Sequence, residues 1–148
     1  MGCCYGRTPG PAFRAQASLH LEYLVVSDIL FAPETESSMS ELRKKKCKPC
    51  EGGVPPMTLE EAEDLQKEVP AWEVIHEGHG LRRLFTFGNH YELMAFVNAV
   101  AMISHREDHH PNQQLGYSRC EVVYTTHAVD GLTENDFICA AKVDALLD

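Results

Sequence analysis

No stretch of this chain approaches the ~20 consecutive apolar residues that a bilayer-spanning helix needs, so no membrane span is expected in it. Positive charge is scarce. Thirteen Lys and Arg stand against 22 Asp and Glu, a net charge of −9. That balance argues against direct nucleic-acid binding and against docking on anionic membranes, both of which need a basic surface. The one basic run, Arg43-Lys44-Lys45-Lys46, is read as solvating a flexible segment. No convincing secretory signal is read either. The apolar stretch from Leu21 to Phe31 is broken by Glu22, Ser27 and Asp28, and it is too acidic for a transit peptide. Met1-Gly2 opens like a myristoylation signal, but Gly6 stands where Ser or Thr is required. The expected location is the cytoplasm. There the six cysteines are not expected to build a disulfide framework.

Those cysteines are unevenly placed. Cys3 and Cys4 are adjacent, Cys47 and Cys50 form a C-x-x-C, and Cys120 and Cys139 lie in apolar surroundings. One C-x-x-C is only half of a tetrahedral zinc site. It reads as a reduced pair in a loop, with redox activity and pairing across a dimer left open. Cys120 and Cys139 read as small buried apolar residues.

With 148 residues and ordinary apolar content, one domain with one core is expected. There is no internal repeat. Residues 1–57 are expected to form a disordered or extended N-terminal segment, and residues 58–148 the compact domain. Met39 is a candidate true start, with residues 1–38 a translated upstream extension. N-terminal mass spectrometry of the native protein decides this, because a native peptide from residues 20–38 refutes it.

From Thr58 the signals for regular structure are local and strong. Thr58-Leu59-Glu60-Glu61 is a capping box for a helix reaching about Glu68, before Pro70. Residues 72–75 and 81–87 predict a hairpin about the turn residues Glu77-Gly78-His79-Gly80. Asn89 caps a second helix whose stripe is Leu93, Met94, Val97, Val100, Ala101 and Ser104, ending near residues 106–108 before Pro111. Residues 119–126 predict a third strand, and a short fourth is placed within 113–118. Thr133 caps a last helix with Phe137, Ala140, Ala141, Asp144 and Leu147 on its stripe. The fold class is α+β: a small antiparallel sheet with three helices packed on one face.

Chemistry concentrates around His109-His110-Pro111. Four of the eight histidines, His105, His109, His110 and His127, fall in one short window, and Asp136 follows nine residues after His127. Imidazole is suited to moving protons near neutral pH. Each group also has a plainer reading. Histidines at a helix C-terminus interact with its carbonyls and dipole, and an acid in a first helical turn is expected for capping alone. Their joint position at the ends of consecutive elements favours a shared site. Metal binding competes, since His105 and His109 have zincin-like spacing. The residue after His105 is Arg106, however, where that motif requires Glu.

At these residues the sequence resembles the pterin-4a-carbinolamine dehydratases. The likeness is carried by His109-His110-Pro111, Tyr117, Thr126-His127 and Asp136, and it covers residues 58–148. The Lys46–Gly53 stretch and Gly131–Phe137 resemble a bacterial and plant subgroup. The resemblance implies a four-stranded antiparallel sheet with three helices, assembled as a homodimer or homotetramer, and no metal or organic cofactor. It implies dehydration of 4a-hydroxytetrahydropterin to quinonoid dihydropterin, recycling the cofactor of aromatic amino-acid hydroxylases. By that likeness His109 and His127 are the proton-transfer pair. His110, with Pro111, binds the pterin, and Asp136 orients an imidazole. One departure is His105, where relatives usually carry Glu, which marks it as a modulator of rate and pH optimum. Tyr117 is ten residues from His127, about 33 Å along one extended strand, so it is assigned to packing or binding near its own loop. The alternatives are a non-catalytic member of the fold (a transcription-factor dimerisation partner or a Rubisco assembly factor) and an enzyme of molybdopterin-related metabolism.

Overall fold

A computed structural model describes residues 41–49 and 55–148. The expectations for residues 1–38 and for Cys50 lie outside those residues. The elements, in chain order, are α1 (Leu59–Gln66), β1 (Glu73–Ile75), β2 (Gly80–Thr86), α2 (His90–Glu107), β3 (Asn112–Leu115), β4 (Arg119–Tyr124) and α3 (Glu134–Asp144). The strands form one antiparallel sheet in the order β1-β2-β4-β3. The α+β class with three helices is therefore what the chain adopts.

Local chemistry sets most boundaries. The Thr58 hydroxyl accepts from the Glu61 amide at 3.3 Å, and Glu61 accepts from the Thr58 amide at 2.8 Å, which satisfies two amides the helix would otherwise leave open. Asn89 caps α2 through the Glu92 amide at 3.0 Å. The β1–β2 hairpin turns through residues 76–78, where Gly78 takes φ +94°, a conformation that suits glycine.

Period-2 alternation gives the sheet one apolar face. Leu81 and Phe85 of β2 and Cys120, Val122 and Tyr124 of β4 are buried, while Leu84 is exposed and Glu121 half-buried between them. Leu93, Phe96 and Val100 of α2 and nearly all of α3 join the same core. Two stripe expectations change here. Ala101 is exposed, and the larger Phe96 takes the core-facing place. Leu147 lies beyond α3 and is exposed, whereas Asp144 is held by the Trp72 indole N–H at 2.7 Å and by Arg83.

Residues 41–49, assigned by sequence to the segment before the domain, pack on it. A 3-10 turn over Glu41–Lys44 buries Leu42 completely. Beyond it Lys45 pairs with Glu134 at 2.7 Å. The run of lysines hides one apolar anchor, and that anchor, together with the acid it faces, docks the strap.

Candidate active site

α2 ends where Asp108 enters the left-handed region at φ 51°. The amides of Asp108 and His109 both turn back to the Ser104 carbonyl. This reversal sends His109 inward, where it is only 6% exposed. Its ring stacks on Tyr124, with centroids 5.7 Å apart and planes 10° from parallel. Burial raises the Tyr124 phenol well above its ordinary value, so this wall of the site stays neutral.

Behind the ring lies Asp136, in the first turn of α3 and fully buried. Its Oδ1 is 2.7 Å from His109 Nε2. Its Oδ2 accepts from the Thr133 amide at 2.8 Å and from the Thr126 hydroxyl at 2.8 Å, with the Thr133 hydroxyl at 3.4 Å. A carboxylate only accepts, so Nε2 of His109 carries its proton and Nδ1 is left without one. Thr126 lies just past β4. Its amide bonds the Gly131 carbonyl at 3.0 Å, closing a turn that contains His127.

One carboxylate thus ties together two segments far apart in sequence. His110 follows the residue on Oδ1, and His127 follows the residue on Oδ2. Both are exposed, and Pro111, next to His110 in the chain, is half-buried. Thr126→Val preserves shape and removes one donor to a buried acceptor. It is expected to lower stability by about 1–2 kcal/mol, read from urea denaturation.

The remaining candidates fall elsewhere. His105 is exposed on the last turn of α2, and the hydrogen bond His109 makes is to Asp136. Tyr117 is 80% exposed in the β3–β4 turn, stacked on His90 with centroids 5.6 Å apart. It sits at the opposite end of β4 from His127. A concavity of about 800 Å³ runs between the C-terminal ends of α1 and α3, with Arg83 and Asp144 in its lining. None of the described histidines lines it, and the candidate site is the titratable cluster around Asp136, whose chain neighbours His110 and His127 are exposed. Among the described residues no group of three His, Cys, Asp or Glu side chains is placed to hold a metal ion, and no helix is long and apolar enough to cross a membrane.

The profile of the family described as pterin 4 alpha carbinolamine dehydratase matches residues 55–146. This chain belongs to that family. A Nitrosomonas eutropha protein named "Putative pterin-4-alpha-carbinolamine dehydratase" is 56% identical over 112 residues, covering 75% of this chain and 97% of that one. A Rubrobacter xylanophilus protein of the same name is 51% identical over 108 residues, covering 73% and 100%. Among solved structures, a transcriptional coactivator/pterin dehydratase from Brucella melitensis superposes with a TM-score of 0.60 at 26% identity. It covers 63% of this chain and 99% of its own.

Sequence reasoning missed several residues that build the site of this carbinolamine dehydratase family member. Tyr124 reads as an ordinary strand residue, and Thr133 as a cap alone. Glu107 gives no local signal at all. Burial works against its charge, but Lys142 and the Cys47 amide outweigh this and hold its carboxyl below the ordinary value of 4.5. It thereby ties the end of α2 to both the strap and α3.

Proposed function

We propose that the chain dehydrates a 4a-hydroxytetrahydropterin to a quinonoid dihydropterin and water, by proton transfer through its histidines. The observation that carries this reading is the buried Asp136 carboxylate, which holds His109 and the segment leading to His127 at once. In the reaction the C4a–O bond breaks, the oxygen leaves as water after gaining a proton, and N5 loses its proton as the N5=C4a bond forms. Hydroxide leaves poorly, so an acid must act on the oxygen while a base acts at N5. His109 and His127 fill those roles. His110, exposed beside Pro111, holds the pterin, and Asp136 keeps His109 in one tautomer. Such acid–base action contributes roughly 10²–10⁴-fold.

The assay is dehydration of synthetic 4a-hydroxytetrahydropterin. His110→Ala and His127→Ala are expected to lower the rate by on the order of 10²-fold or more while leaving the fold intact. A wild-type rate no faster than the spontaneous reaction rejects the enzyme. Folded variants as fast as wild type reject the residue assignment. The functional unit in this reading is a cytoplasmic homodimer or homotetramer. Tyr91 and Met102, 85% and 52% exposed on α2, supply apolar surface for such assembly, and light scattering after size exclusion measures it.

A further inference from the structure

The proposed reaction uses neither Cys47 nor Cys139, yet the fold places them together. Cys47 is half-buried in the strap, and Cys139 on α3 has no exposed surface. Their Sγ atoms are 3.6 Å apart across 92 residues of sequence. The strap is pinned on both sides of Cys47. Its own amide donates to Glu107 at 2.9 Å. The Lys48 amide donates to the Asn135 side-chain oxygen at 3.0 Å, and the Lys48 carbonyl accepts from the same side chain at 2.8 Å. Lys45 anchors the other side through Glu134. The backbone around Cys47 is therefore fixed beside α3. A disulfide needs the sulfurs to close from 3.6 Å to about 2 Å.

We propose that Cys47 and Cys139 form a reversible disulfide that staples the strap to α3, made by exchange with a low-molecular-weight disulfide. Cys47, the thiol with exposed surface, attacks one sulfur of glutathione disulfide as its thiolate. It becomes a mixed disulfide and releases one glutathione. Cys139 then attacks the Cys47 sulfur and expels the second glutathione. Two electrons pass from the protein thiols to the incoming disulfide, and their two protons end on the two glutathiones. The order follows from the surroundings. The hydrogen bond to Cys47 and then burial push the Cys139 thiol upward, which suits the second step, after Cys47 is capped and its opposing interaction is gone.

The staple lies behind the site. Asn135 precedes Asp136, and Glu107 stands two residues before His109, so the strap grips the neighbours of both members of the buried pair. That pair is already formed with the thiols reduced. Oxidation therefore fixes an existing arrangement, and catalytic turnover is unchanged by it. The gain is in resistance to unfolding, because a cross-link over a loop this long restricts the unfolded chain strongly.

The test equilibrates the full chain in glutathione/glutathione disulfide mixtures, traps free thiols by alkylation, maps linked peptides by mass spectrometry and records melting in parallel. Wild type and Cys50→Ser are both expected to give the Cys47–Cys139 peptide and to melt on the order of 10 °C higher when oxidised. Cys47→Ser, altering a half-buried strap residue, gives neither. A Cys47–Cys50 link in place of the Cys47–Cys139 link, links between chains only, or no link at all overturns the proposal. So does an oxidised wild type that melts no higher than the reduced one.

Discussion

An Asp136→Asn variant is expected to dehydrate its pterin on the order of 10²–10³-fold more slowly than wild type. Asn has the shape of Asp but presents an NH₂ group on one side. On Oδ2 that group meets the Thr133 amide and the Thr126 hydroxyl, and on Oδ1 it meets His109 Nε2. Donor then faces donor whichever way the amide turns. The easiest relief is for His109 to move its proton from Nε2 to Nδ1, which takes away the unprotonated nitrogen that the proposed mechanism uses. The loss should therefore appear in kcat with a changed pH profile, and much less in KM. Stability should fall as well, by about 1–3 kcal/mol, because the mismatched donors are buried. Measuring melting and kinetics on the same sample separates the two effects. A variant of reduced stability with the wild-type kcat and pH profile would confine Asp136 to the fold.

Trp72→Ala is expected to produce the largest loss of stability, about 3–5 kcal/mol. The indole is buried and contacts Phe85 edge-on and Tyr124 obliquely, both with centroids 5.8 Å away. It also donates to Asp144. Trp72→Phe retains most of the apolar volume and isolates that hydrogen bond, at about 1–2 kcal/mol. Denaturation against pH adds a sign. Burial raises the Asp144 carboxyl above its ordinary 3.8 despite Trp72 and Arg83. In that window the native chain binds more protons than the unfolded one, so this group's contribution to stability rises as pH falls. Without the indole N–H the shift grows. The penalty of Trp72→Phe should then be full near neutral pH and shrink on acidification through the native pKa of Asp144. A pH-independent penalty would assign it to packing alone.

What could be read from the sequence was written in neighbouring residues. The caps at Thr58 and Asn89, the stops before Pro70 and Pro111 and the hairpin about Gly78 each depend on a few consecutive side chains. The candidate histidines and Asp136 were picked out in the same way, since each stands at or near an element end. What was not legible depends on distant partners. β3 reads Asn-Gln-Gln-Leu, with no apolar alternation; the short fourth strand expected within 113–118 lies at 112–115, and its bounds are set by the hydrogen bonds β4 offers it. Leu42 sits among charges and shows its value only against α3. Thr126 reads as a β-former, and its role appears only where α2, β4 and α3 converge on one carboxylate. Cys139 is indeed a small buried residue, as its surroundings suggest, but nothing local announces that Cys47 lies against it.

From Asn135 to Ala141 every residue of α3 is buried. A helix enclosed on all sides cannot fray without opening the core, so its amides should exchange with solvent only through global unfolding. Asp136 lies within that stretch. The proton on His109 is therefore held by a group inside the part of the fold that opens last, while His110 and His127 stand exposed to solvent. Motion at the rim can admit and release a ligand many times over without the buried end of the pair ever letting go.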